Sequence, residues 1–302
     1  MELVGVFDPL GDTHRAADGL RLARDLDELI TWGIDAAVVA VPTEDHLPVA
    51  LRLAAAGVHA LIEKPLATDT PEALQILEAF AAADRIVAVG HIERFNPAIR
   101  SLKQRLLDGE IGTPFQIATS RQGPFPARIR DVGVVKDLGT HDLDLTAWVA
   151  AQRFGTVAAR CAYRAGRVHE DLVAVVGSLT DGTVTSHLVN WLSPMKERRV
   201  VVTGERGCLI ADTLTADLTF HANASTASEW EGLSQFRGVS EGDMIRYAIP
   251  KPEPLETELV GFRDAILDRG GEIVTGRDGL HALQVAEAIL RSAEHGTVED
   301  VE

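Results

Sequence analysis

The sequence predicts an α/β chain of two domains, the first on a parallel sheet and the second an α+β domain built on a largely antiparallel sheet. Three observations predict it. Short apolar runs alternate with helical segments up to about residue 90, the pattern of βαβ units. After Pro114 β-rich runs take over, and Asp181-Gly182 between two of them is a strong hairpin signal. The length of 302 residues suits two domains, and 46% hydrophobic with 25% charged residues suits a full core that needs neither disulfide nor metal.

Taken in order, Leu3-Val4-Gly5-Val6-Phe7-Asp8 reads as a buried strand ending in a carboxylate, with a turn at Pro9 and Gly11. A helix is expected over residues 12–24. Residues 36–42 suit a parallel strand covered on both faces, followed by a helix over 46–56. The alternation repeats as strand 58–63, helix 71–83 with Pro71 in its first turn, and strand 86–90. This places a first domain at 1–95 and a second at 96–302. In the second, strands are expected at 115–120, 157–163, 172–179, 183–192 and 199–202, with a helix over 137–150. Helices at 255–268 and 279–293 close the chain and are candidates to pack back on the first domain.

Composition excludes several function classes. A formal charge of -16 repels phosphate backbones and anionic membrane surfaces, so neither nucleic acid nor membrane is expected as a partner. No apolar run approaches the roughly 20 residues of a membrane helix, and no basic region followed by an apolar stretch opens the chain. Cys161 and Cys208 lie in apolar β-like runs as small buried side chains, which suits a cytoplasmic protein.

Asp8 ends its strand in the manner of the acidic residue that accepts hydrogen bonds from adenosine ribose hydroxyls in a Rossmann-like dinucleotide domain. Such a domain opens with strand, GxGxxG turn and helix, because the pyrophosphate needs backbone N–H groups at a helix N-terminus. No GxGxxG occurs, so the first strand and glycine loop are read as absent. Met1 is then expected to be an internal methionine taken as the start, with a truncated protein as the alternative. The absent strand belongs in the middle of the order 3-2-1-4-5-6, so the sheet is expected to open between two neighbours. A plain turn aspartate is the other reading of Asp8, since Asp before Pro favours a turn.

Four motifs follow one another along the chain: Val41-Pro42-Thr43 with His46, then Glu63-Lys64-Pro65, then Gly90-His91-Ile92-Glu93-Arg94-Phe95-Asn96-Pro97, then Asp137-Leu-Gly-Thr-His141. In these the chain resembles the glucose-fructose oxidoreductase and inositol dehydrogenase (GFO/IDH/MocA) family over nearly its whole length. The third motif, with Arg121-Gln-Gly-Pro124 and Arg128-Ile-Arg130-Asp131, is similar to the UDP-N-acetylglucosamine 3-dehydrogenase branch. The resemblance implies NAD-dependent oxidation of a ring hydroxyl of a sugar or nucleotide sugar, a UDP-N-acetylhexosamine being favoured. It implies cofactor contacts at Asp8, Pro42, Thr43, His46, Glu63, Lys64 and Pro65, with Glu63 toward the ribose. It implies substrate contacts at Arg94, Asn96, Arg121, Arg130 and His141, no metal, and a homodimer or homotetramer that covers the outer face of the second sheet.

Oxidising a secondary alcohol needs a base within hydrogen-bond reach of the hydroxyl, and Lys64 and His141 are the candidates. Asp137 and His141 are four apart, so a helix would stack them, and a neighbouring carboxylate fixes an imidazole's tautomer and raises its basicity. His141 is therefore assigned as acid/base and Asp137 as its orienter. The plainer readings are a helix N-cap for Asp137, a core histidine for His141 and a surface lysine for Lys64. Asp137, His141 and Asp144 could be read as a metal cluster, but no Cys or second His falls at ligand spacing. Arg94, Arg121, Arg128 and Arg130 could fork a diphosphate or pair with surface carboxylates. Trp148, Trp191 and Trp230 are read as packing anchors. A carboxylate at Asp8 would repel a 2'-phosphate, favouring NAD over NADP. Two other functions stay open: an NAD-dependent glycosidase of the same fold, and a non-catalytic sugar-binding or regulatory protein.

Overall fold

The computed structural model describes residues 1–11, 19–126, 132–224 and 241–301, and the chain divides into two units. One holds Met1–His91 and Glu258–Leu280, the other Ile92–Thr257 and His281–Glu302.

In the first unit, β1 (Gly5–Val6) pairs in parallel with β2 (Arg21–Leu22), and Arg21 stacks over the Trp32 ring. A second parallel ladder runs β3 (Ala36–Val39), β4 (His59–Glu63), β5 (Val87–Gly90) in that order. The two ladders are separate, and Val38 on β3 is left 56% exposed. The expectation of a strand covered on both faces at 36–42 is corrected there, since β3 ends at Val39 and Val38 is exposed.

Helix α1 (Leu26–Thr31) is capped by Asp25, whose side chain accepts the Glu28 N–H. Helix α2 (His46–Ala55) links β3 to β4, and α3 (Thr70–Ala82) links β4 to β5. Asp69 caps α3 by accepting the Glu72 N–H, Pro71 occupies its first turn, and Ile76 and Phe80 face inward. The helix expected over 12–24 is corrected at its end: Arg21 and Leu22 are extended, and the Asp25 cap sets the helix start at Leu26. Residues 12–18 of that expectation lie outside the described residues.

In the second unit, α4 (Pro97–Leu107) precedes β6 (Pro114–Pro124), and α5 (Thr140–Ala150) precedes β7 (Phe154–Ala162). Then come β8 (Leu172–Leu179), β9 (Val184–Asn190), β10 (Leu192–Gly204), β11 (Gly207–Asp212), β12 (Asp217–Asn223) and β13 (Glu241–Arg246). With β14 (Glu299–Asp300) the described strands form one sheet, β13-β12-β11-β10-β6-β9-β8-β7-β14. Of its neighbouring pairs β6 and β9 run parallel and the rest antiparallel.

One face of this sheet carries Ile117, Val157, Val175, Val189, Val202 and Leu209 into a buried core with α4 and α5. The helices α6 (Pro254–Ile266) and α7 (Gly276–His295) each contribute to both units. Phe262 joins Leu61 and Ala88 in the first, while Val285, Ala286 and Ile289 join the second core. Gly279 serves close packing, since a β-carbon there would overlap the Val89 side chain. At the β8–β9 hairpin Gly182 has φ +89 and Asp181 accepts the Thr183 N–H, the chemistry anticipated for that dipeptide.

Candidate active site

The carboxyl ends of the parallel strands in the first unit gather Val41-Pro42-Thr43 after β3, Glu63-Lys64-Pro65 at the end of β4, and Gly90 at the end of β5. Open parallel sheets bind ligands at these ends. His46, buried on the first turn of α2, lies between two of the loops. Its Nε2 lies 3.1 Å from the Val41 carbonyl, and its Nδ1 lies 3.0 Å from the Pro65 carbonyl and 3.3 Å from that of Leu66. Burial pushes the imidazole pKa down, and the three carbonyls oppose that shift without cancelling it. The ring therefore sits between the two loops and, with the one N–H of a neutral imidazole, donates to a carbonyl of one of them, a positioning duty beside the cofactor contact anticipated for it.

Glu63 and Lys64 are half-buried, Lys64–Pro65 is a cis peptide, and the Lys64 N–H donates to Glu63 Oε2 at 3.3 Å. Gly90 faces the Glu63 carboxylate so closely that a β-carbon there would stand 3.0 Å from it. Asp8 follows β1, and its Oδ1 accepts the Leu10 N–H at 2.8 Å, which leaves acceptor capacity on a group that also shapes its turn. A carboxylate cradled against glycine, an adjacent lysine and two braced loops at strand carboxyl ends fit the ribose and nicotinamide end of a dinucleotide.

In the second unit Asp137 and His141 lie on one helical run, but not one regular α-helix. Val135–Gly139 form a π-helical turn, and α5 begins at Thr140, whose Oγ1 donates to the Lys136 carbonyl. Such widened turns recur at functional sites, because they re-aim side chains that an α-helix would fix. Asp137 is buried and His141 half-buried.

Beyond His141, α5 is buried on most of its surface, so its acidic side chains need partners. Asp144 receives Arg94 Nε at 2.7 Å and Nη2 at 2.5 Å. Asp142 receives Arg121 Nε at 2.8 Å, and Arg121 Nη1 donates to Glu93 at 2.8 Å, with Arg198 3.3 Å from the same carboxylate. Burial opposes the charge of Arg121, and the Asp142 and Glu93 carboxylates more than offset it, so its pKa is raised. Glu93 is held below the usual carboxylate range, burial being outweighed by Arg121. Asp142 stays raised, because its burial exceeds what a shared arginine returns.

These pairs give Arg94 and Arg121 an occupation other than the diphosphate contact expected of them. Asn96 is likewise engaged: it caps α4 through the Ala98 N–H and donates to the Thr213 carbonyl. Arg130, with Arg128, lies outside the described residues, as does Trp230. Glu93, present in the third motif without a role of its own, and Asp142 and the buried Glu170 were given no function from sequence. The period-2 alternation of Ile117, Thr119 and Arg121 on the buried face of β6 was the available signal, since an arginine there requires carboxylates.

Comparison with known proteins follows this division. Residues 1–91 match the model of an oxidoreductase family with an NAD-binding Rossmann fold, and residues 99–210 match the GFO/IDH/MocA C-terminal domain. The chain belongs to the GFO/IDH/MocA oxidoreductase family. Within that family it is 38% identical to UDP-N-acetylglucosamine 3-dehydrogenase of Acidithiobacillus ferrooxidans over 150 residues, 48% of this chain and 46% of that one. The match therefore spans less than half of that relative. It is 29% identical over 294 residues to inositol 2-dehydrogenase 2 of Saccharopolyspora erythraea, covering 95% of this chain and 82% of that one. The solved structure of the Acidithiobacillus enzyme superposes with TM-score 0.82 at 28% identity, covering 97% of this chain and 90% of that chain.

Proposed function

We propose that this GFO/IDH/MocA protein is an NAD-dependent dehydrogenase that oxidises a ring hydroxyl of a sugar or nucleotide sugar, with a UDP-N-acetylhexosamine as the favoured substrate. The observation that carries the reading is the half-buried Glu63-Lys64 pair at the end of β4, opposite a glycine and between loops that flank His46. The likeness to a UDP-N-acetylglucosamine 3-dehydrogenase and an inositol 2-dehydrogenase supports the substrate class.

When bound, NAD supplies the hydride acceptor. Glu63 and Asp8 receive ribose hydroxyls, and Thr43, Pro42 and Pro65 line the loops beside them. His141 is the acid/base that removes the proton of the reacting hydroxyl, Asp137 orients its imidazole, and Lys64 is the second candidate for the proton path. Arg130 remains the candidate for a substrate phosphate, while Arg94 and Arg121 hold α5 through Asp144 and Asp142, and Asn96 caps α4.

The remaining readings belong to the same proposal. The protein works in the cytoplasm, consistent with two free cysteines, and no described helix is long and apolar enough to cross a membrane. It assembles as a homodimer or homotetramer, supported by the exposed Val176, Val184 and Leu188 that alternate with buried neighbours on β8 and β9.

A panel of UDP-sugars, inositols and aldoses incubated with NAD, read by NADH absorbance and product analysis, tests the reading. NADH formation with a UDP-N-acetylhexosamine supports it. Aglycone release without NADH moves the protein to the glycosidase class, and calorimetric NAD affinity weaker than about 100 μM with no turnover moves it to a binding role.

A further inference from the structure

The first turn of the helical run that carries Asp137 and His141 has no cap of its own: Val134, at the cap position, offers no side-chain acceptor. The N–H groups there are buried and need partners from elsewhere. Glu170, on the segment leading into β8, provides two. Its carboxylate Oε1 accepts the Val135 N–H at 3.0 Å, and its backbone carbonyl accepts the Val134 N–H at 3.0 Å. The residue is only 5% exposed.

Gly133 is what lets the carboxylate in, since a β-carbon at that position would overlap both carboxylate oxygens. The Gly133 carbonyl in turn accepts the Asp137 N–H at 3.0 Å, so Glu170, Gly133, Val135 and Asp137 form one short chain of contacts.

We infer that Glu170 is a positioning residue for the Asp137–His141 pair, fixing the π-helical turn through the Val134 and Val135 N–H groups with Gly133 as the required gap. A carboxylate beside the leading N–H groups also opposes the positive end of the helix dipole, which favours the turn over a loop. A regular α-helix would satisfy its leading groups with a local Ser, Thr or Asp cap. Here the turn opens on Gly133-Val134-Val135, none of which carries a side-chain acceptor, so a distant carboxylate takes that duty.

The inference rests on the dehydrogenase reading for its kinetic consequence, but not for its structural one. Two readouts therefore test it: the NMR titration midpoint of the His141 ring, and kcat against KM on the best substrate of the panel. In Glu170→Ala the midpoint should move by more than about half a unit, and kcat should fall roughly a hundredfold with KM little changed. Glu170→Asp, which keeps the charge but not the reach, should lose most of the same activity and serves if the alanine variant does not fold. Glu170→Gln keeps the acceptor oxygen and should restore both readouts to near wild-type. Wild-type titration and kcat in folded E170A or E170D overturn the inference. If the wild-type protein turns over no substrate, the dehydrogenase reading fails, and the His141 midpoint alone decides the role of Glu170.

Discussion

Arg94 and Asp144 form a bidentate ion pair in the second unit, with side chains 8% and 1% exposed. At that burial the pair's value lies in leaving neither charge alone, because desolvation offsets much of the attraction. It anchors α5 one helical turn beyond His141, the proposed acid/base.

Breaking the pair from one side should therefore be costly. Arg94→Met leaves a buried carboxylate uncompensated, and urea unfolding should report a loss of about 3–5 kcal/mol. The double variant Arg94→Met/Asp144→Leu should recover most of it, which a simple packing defect at either site would not.

Chemistry and cofactor binding should separate. Lys64→Met and His141→Asn should each lower kcat by a factor of roughly 100 or more, with NAD affinity by calorimetry changed only a few-fold. Equal losses in NAD affinity and kcat would place these residues in cofactor binding instead.

His46 should do the reverse. His46→Leu fills the space but removes the one ring N–H that donates to Val41 or to the Pro65–Leu66 carbonyls, depending on tautomer, so the contact between the loops at the ends of β3 and β4 weakens. NAD binding should weaken roughly tenfold, the effect of about one net hydrogen bond.

His187 should make stability pH-dependent. It is buried on β9 beside the Thr119 hydroxyl at 2.9 Å, and burial holds its pKa down to about 4, against 6.5 unperturbed. Above pH 6.5 both folded and unfolded chains carry it neutral, so its contribution is full there. As pH falls from 6.5 toward 4 the unfolded chain takes up a proton that the folded one refuses, and stability drops by up to about 3 kcal/mol. Urea midpoints measured across that window should show the slope, and His187→Gln should flatten it.

Assembly should depend on the outer sheet face. Light scattering should give an oligomer for the wild-type chain and a monomer for Val176→Asp/Leu188→Asp, since both exposed side chains sit on adjacent strands. A wild-type monomer would remove the oligomer proposal.

Much of this was legible in the amino-acid order. The βαβ alternation, the helix start at Pro71, the Asp181-Gly182 turn and the four motifs are local patterns, written within a few residues of one another. Less local signals were not. The strands Gly207–Asp212, Asp217–Asn223 and Glu241–Arg246 went unread, and β13 is exposed along its length, which leaves no alternation to detect. The short strand Arg21–Leu22 depends on pairing with Gly5–Val6 for its existence.

The sequence by itself determined the residue types of the candidate site: a carboxylate and lysine at a strand end, and an aspartate four residues before a histidine. Only the tertiary structure decided which charged groups are spoken for. It pairs Arg94 and Arg121 with Asp144, Asp142 and Glu93, seats His46 between two loops, and brings Glu170 to the start of a π-helical turn. The physical reason is that a buried charge or N–H must find its partner in space. For the arginines and for Glu170 those partners lie 21 to 50 residues away along the chain, beyond any local pattern.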